Sequence, residues 1–138
     1  MTLPVGKRCP PAIFCLALAW ESASADRDVI SQTLSNLSTS IDLGAVYDII
    51  PPGMMRPKYK LRCIMCYYGE HYAAFAMSEA SVAGAGAGVG GGGERWLLFD
   101  DATTKEVGDW QDVVASCEKG RLQPCVLFYE QEGAPHVE

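Results

Sequence analysis

The stretch "YKLRCIMCYYGEHYAAFAM", Tyr59 to Met77, decides how this chain is read. Tyr59–Tyr68 and Glu70–Met77 are both dominated by apolar and aromatic residues, the composition of β-strands. Gly69 lies between them as a natural bend or bulge point. The second strand carries His71, one of only two histidines in the chain, placed between a carboxylate and a tyrosine. An imidazole in that setting is an acid–base catalyst, a metal ligand or a packed side chain, and the stretch alone leaves the three open.

Downstream, residues 78–94 read "SEASVAGAGAGVGGGGE", an alanine–glycine run expected to act as a flexible loop. "RWLLFDD" (95–101) is a further strand that ends in Asp100 and Asp101. "DWQDVVASCEKGR" (109–121) is an amphipathic helix with Asp109 as cap, Trp110, Val113, Val114 and Cys117 as its apolar face, and Gly120 as terminator. "QPCVLFYE" (123–130) is strand-like, and 131–138 is a polar tail. Upstream, "AIFCLALAW" (12–20) reads as a buried strand, and "SADRDVISQTLSNL" (24–37) as a helix capped by Ser24. Ile30, Leu34, Leu37 and Ile41 recur there at helical spacing. "GAVYDII" (44–50) is read as a short strand stopped by Pro51-Pro52-Gly53. These elements predict an α+β fold, an antiparallel sheet with flanking helices.

The chain's 138 residues suffice for one core, and 49% hydrophobic with 20% charged residues is a globular composition. Pro10–Trp20 is only about half the roughly 20 apolar residues of a membrane span. It follows Lys7-Arg8, but Glu21 and Asp26 come soon after it without a cleavage signal, so it reads as a strand rather than a leader. Residues 1–77 hold seven Lys/Arg against six Asp/Glu, whereas 78–138 hold four against eleven. That balance disfavours a nucleic-acid partner and suits a basic peptide or protein tail. Of the six cysteines, Cys15, Cys63, Cys66 and Cys125 lie in strand-like apolar runs and Cys117 lies on a helix face, settings of small hydrophobes in a reducing compartment. Cys63-x-x-Cys66 has metal-ligand spacing but no second pair to complete four ligands, and positions i and i+3 of a strand face opposite ways. No metal or cofactor is expected.

The Ala/Gly run joins the strand of His71 to the strand of Asp100. A hairpin across it lays those strands side by side, within reach of an imidazole–carboxylate hydrogen bond. A histidine held by an aspartate is the base-and-orienter half of a nucleophilic triad.

From Tyr59 to Glu130 the chain resembles the C-terminal, histidine-box part of the ubiquitin-specific protease domain, a papain-like cysteine peptidase fold. The resemblance is carried by Tyr59-Lys60-Leu61, Glu70-His71-Tyr72, Trp96-Leu97-Leu98-Phe99-Asp100-Asp101 and Val126-Leu127-Phe128-Tyr129-Glu130. "CYYGEHYAAFA", the long run from Trp96 to Glu130 and the upstream "CPPAIFCLALAWES" are most similar to divergent members often labelled inactive and to related plant-type members.

The resemblance implies that residues 1–138 form part of such a domain, with ubiquitin or ubiquitinated proteins as partners, inside the cell in the cytoplasm or nucleus. It makes His71 the general base and Asp100 its orienting carboxylate, with Asp101 a neighbouring polar residue that organises the site. Tyr72 and Trp96 are implied to pack beneath the histidine, and Gly69 to permit the bend into its strand. The departures are equally specific. The family's Asn-Thr-Cys box, its cysteine-pair zinc fingers and the glycine before the histidine have no counterpart here, and Glu70 takes that glycine's place. Two readings follow: a thiol-dependent deubiquitinase lacking its nucleophile segment, or a noncatalytic ubiquitin-binding or scaffold pseudo-enzyme. Metal-dependent hydrolysis is disfavoured by the ligand count.

Overall fold

A computed structural model describes residues 11–42, 58–79 and 94–132. In chain order its elements are β1 (Ile13–Ala17), α1 (Arg27–Asn36), β2 (Ser40–Asp42), β3 (Lys58–Tyr68), β4 (His71–Glu79), β5 (Glu94–Asp100), β6 (Thr103–Gly108), α2 (Trp110–Gly120) and β7 (Gln123–Gln131). The strands make one sheet in the order β1-β7-β3-β4-β5-β6, with β2 paired to β3, and every pairing is antiparallel. The expected α+β class is the class observed. No helix among the described residues is long and apolar enough to cross a membrane.

Both helices pack on one face of the sheet. Ile30 and Leu34 of α1 and Val113 and Cys117 of α2 join Tyr59, Leu61, Ile64, Cys66, Phe75, Met77, Trp96, Leu127 and Tyr129 in a single buried cluster. In β3 the buried positions change parity between Leu61 and Ile64. A register shift against β7 between Leu61 and Cys63 accounts for this: the bulge rephases the alternation, so both halves of the strand face the helices. Cys66 is buried on that side while Cys63 is half-buried.

Local chemistry explains where the helices begin. In α1 the cap is Asp26, whose Oδ1 accepts the Val29 amide at 3.0 Å, and not Ser24, which is hydrogen-bonded to Ser22. Ile41 belongs to β2 rather than to the helix. In α2 Asp109 is the cap as expected, and it exchanges hydrogen bonds of 2.9 Å with Asp112 in a capping box. Gly120 is the last helical residue, and the left-handed position that closes the helix is taken by Arg121 at φ 53°. Before the box, Gly108 has φ +126°, and a Cβ there would collide with the Asp112 carboxylate. Ser31 Oγ donates to Glu118 at 2.8 Å and ties the helices together.

Residues 12–20 are not the buried strand that their composition suggests. β1 is an edge strand on β7, and of its five residues only Phe14 is even half-buried, against Tyr59 and Tyr129. An unbroken apolar run carries no alternation to say which side is covered, and here the helices cover little of it. β6 and β2 were not expected either. β6 is polar and mostly exposed, and it exists because a tight turn folds it back onto β5. Ser78 and Glu79 belong to β4 and Glu94 to β5, so strand takes both ends of the expected 78–94 loop; its remainder lies outside the described residues, as do 44–50, Pro51-Pro52-Gly53 and Cys9. Gln131 extends β7, and residues 133–138 of the tail are also outside.

Candidate functional site

Two short turns at one end of the sheet build the site. Tyr68 pairs with His71 across Gly69-Glu70, and Asp100 pairs with Thr103 across Asp101-Ala102. Gly69 has φ +59° and Asp101 has φ 52°, the left-handed conformation that a two-residue hairpin turn requires and that glycine and aspartate tolerate best. β4 and β5 then pair from Ala74↔Phe99 to Glu79↔Glu94. The chain between them therefore leaves from the far end of the hairpin, eight residues and about 27 Å from His71 at roughly 3.4 Å per residue. The site's geometry depends on strand register and not on the length of that connection.

His71 and Asp100 face the helix-covered side of the sheet at its margin. Their side chains are each 33% exposed, and His71 Nε2 contacts Asp100 Oδ1 directly. An ionised carboxylate only accepts, so Nε2 carries the proton and Nδ1 holds the lone pair of the neutral ring. Asp101 Oδ2 lies 3.7 Å from the same nitrogen on a side chain that is 81% exposed. The hydrogen bond to Asp100 lifts the His71 pKa above its ordinary value; partial desolvation opposes this, and the charges of Asp101 and Asp100 add to it.

Tyr68 completes the cluster, and sequence reasoning had missed it. Its hydroxyl donates to Asp100 Oδ2 at 3.4 Å, and its ring meets the imidazole edge-on with centroids 5.3 Å apart. The signal was present in the sequence as a tyrosine and a histidine flanking a Gly-x turn, which places them directly opposite. Burial first, then the Asp100 charge, push the phenol above its usual range, so it remains a donor at neutral pH.

Tyr72 and Trp96 do not pack beneath the histidine. Tyr72 points to the opposite face of the sheet, is 58% exposed and packs on Tyr67 with centroids 5.1 Å apart. Trp96 is paired with Met77, six residues along β4 from His71, and is buried against Trp110 of α2. Strand alternation sends His71 and Tyr72 to different sides, and antiparallel register sends Trp96 to the far end.

Among the described residues, the side chains that meet His71 through a hydrogen bond, ion pair or ring contact are Tyr68, Asp100 and Asp101. The five described cysteines are free. Burial raises the Cys63 and Cys125 thiols above their usual range, and Cys66, hydrogen-bonded to Cys117 in the core, is raised further. A raised pKa is the reverse of what activates a nucleophilic thiol. The donor atoms of His71, Asp100 and Asp101 lie within 4.8 Å of one another, close enough to share a cation in principle. The expected set His71, Asp100 and Asp101 is thus brought together at one place.

No family model matches the chain. It is 32% identical over 121 residues to human ubiquitin carboxyl-terminal hydrolase 53, covering 86% of this chain and 10% of the relative. It is 30% identical over 128 residues to mouse ubiquitin carboxyl-terminal hydrolase 54, covering 91% of this chain and 7% of the relative. The chain therefore spans a tenth or less of the length of these relatives. Among solved structures it is similar to the Saccharomyces cerevisiae Pan2 pseudoubiquitin hydrolase–RNA exonuclease module in complex with AAUUAA RNA, at TM-score 0.55 and 12% identity, covering 89% of this chain and 21% of that one. At that identity the likeness is one of fold. The sequence matches across the strands and turns that hold His71 and Asp100 place the chain in the ubiquitin-specific protease family, the ubiquitin carboxyl-terminal hydrolases.

Proposed function

We propose that this chain supplies the base and the orienting carboxylate of a thiol-dependent ubiquitin hydrolase site, and that it lacks the nucleophile within its own described residues. The observation that carries this reading is the His71–Asp100 contact across adjacent antiparallel strands. With Nε2 committed to Asp100, Nδ1 is the atom that accepts a proton from a thiol placed beside it. The same atom later returns that proton to the leaving amine of an isopeptide bond. Asp100 does not take up the proton. It holds the tautomer and stabilises the imidazolium while it lasts.

Ubiquitin or a ubiquitinated protein is the proposed partner, not nucleic acid, in the cytoplasm or nucleus. The acidic balance of residues 78–138 supports attraction of a basic protein tail, and the free thiols suit a reducing compartment. The second reading, a noncatalytic ubiquitin-binding module, draws on the raised thiols and on the absence of any described cysteine in contact with His71. Both readings expect the isolated chain to leave a ubiquitin C-terminal fluorogenic substrate uncut and to resist labelling by a ubiquitin probe with a C-terminal electrophile. Hydrolysis by the purified chain that vanished on mutation of one of its own cysteines would overturn the half-triad account. Activity that appears only when a separate cysteine-box fragment is added, and is lost in His71→Ala, selects the catalytic reading. Ubiquitin binding without such activity selects the noncatalytic one.

A further inference from the structure

We propose that Tyr68 is a positioning residue for the His71–Asp100 pair, its hydroxyl holding the carboxylate so that Asp100, and not Asp101, takes His71 Nε2. The inference deepens the reading of His71 as a base and rests on it. Three observations carry it. Asp100 divides its oxygens, Oδ1 to His71 and Oδ2 to Tyr68 at 3.4 Å, and a carboxylate held at both oxygens cannot rotate freely about its bond to Cβ. Tyr68 is paired with His71 across the Gly69-Glu70 turn and meets it edge-on, so the phenol and the imidazole are carried by one rigid hairpin. A competitor is also at hand: Asp101 Oδ2 lies 3.7 Å from Nε2 on a side chain that is 81% exposed.

Choosing between the two carboxylates matters because their consequences differ. Asp100 is set by the register of β5 and keeps the ring in one plane, with Nδ1 directed away from the pair. The Asp101 side chain is 81% exposed, so a bond to it would compete with water and would hold the ring less firmly. A hydroxyl that stays protonated at neutral pH is suited to this work, since it donates throughout the range in which His71 titrates.

The test is an NMR measurement of the His71 ring-nitrogen shifts in the full chain, above the imidazole pKa, in wild type and in Tyr68→Phe. Wild type is expected to hold the proton on Nε2. For the comparison both proteins carry Asp101→Asn, so that no second carboxylate can take Nε2; Tyr68→Phe then keeps the ring contact and loses only the hydroxyl, and the ratio of Nε2–H to Nδ1–H tautomers should fall about threefold, the loss that one long hydrogen bond implies. A purely structural tyrosine would leave the ratio unchanged in a folded Tyr68→Phe protein, and that result overturns the proposal. A wild type with Nε2 unprotonated overturns the His71–Asp100 reading itself, so the two failures are distinguishable. Should Tyr68→Phe not fold, the phenol titration of Tyr68 in wild type and Asp100→Asn decides. The titration should move to lower pH when the charge is removed, and an unmoved titration overturns the contact on which the proposal stands.

Discussion

His71 and Tyr72 are neighbours on β4 and belong to opposite faces of the sheet. On the helix-covered face, alternate residues of the central strands are almost wholly buried: Ile64, Phe75, Trp96 and Leu127 are each at 0–1% exposure. On the open face the intervening residues of the same strands are half-buried or exposed, with Tyr72 at 58% and Phe99 at 41%. Backbone pairing is shared, so the difference lies in what covers each side. The site occupies the margin of the covered face, where helix packing ends and solvent begins. There the His71 and Asp100 side chains are each one-third exposed, sheltered enough for the imidazole to hold a fixed partner.

Truncation on each face tests this contrast most severely. Trp96→Ala removes a buried indole that packs on Trp110 and should destabilise the fold by about 3–5 kcal/mol, measured by chemical denaturation. A loss below about 1 kcal/mol would mean that α2 is not anchored through this residue. The covered face also depends on how α2 starts. Gly108→Ala forces a positive-φ position and drives a methyl into the Asp112 carboxylate that completes the capping box, so a loss of about 1–3 kcal/mol is expected. Asp112→Ala should relieve the clash and make the glycine substitution less costly in the double variant.

At the margin the effect is electrostatic. The His71 pKa is raised from the ordinary 6.5 by its bond to Asp100, so protonation favours the folded chain. For a raised folded-state pKa, the stabilisation is fully present below the unfolded value of 6.5 and fades as pH climbs through the raised value. Asp100→Asn should therefore lower the His71 titration midpoint in NMR. It should also reduce Tm more near about pH 6 than near about pH 9. An equal reduction at both would show that Asp100 acts through packing alone. The smallest effect belongs to the open face: Phe99→Ala should cost under about 1 kcal/mol, because much of that ring is already in water. A cost like that of Trp96→Ala would show that the open face is covered in solution.

Much of this architecture is legible in the sequence alone. The hairpin around Gly69 is, because a glycine between two apolar, aromatic runs has few other uses. So is α2, where an aspartate cap precedes residues at helical spacing. A pairing of His71 with an aspartate is legible from a strand ending in Asp100-Asp101 and a chain able to return beside it, and the family resemblance implies that Asp100 is the partner. β1 was misread because Ile-Phe-Cys-Leu-Ala is uniformly apolar, and burial of such a run depends on whether a helix happens to lie over it. β6 went unseen because Thr-Thr-Lys-Glu has no hydrophobic alternation, and only its turn at Asp101-Ala102 brings it into the sheet.

The sequence by itself determined the elements that local chemistry specifies: the Asp109 cap, the α2 stripe and the bend at Gly69. Residue type and spacing along a few positions carry that information. Only the tertiary structure decided which side of each strand is covered, that Trp96 serves α2 instead of His71, and that Tyr68 and Asp101 converge on the same pair. Those are outcomes of register between strands far apart in sequence. A shift of one residue in that register would exchange the faces and separate every member of the site.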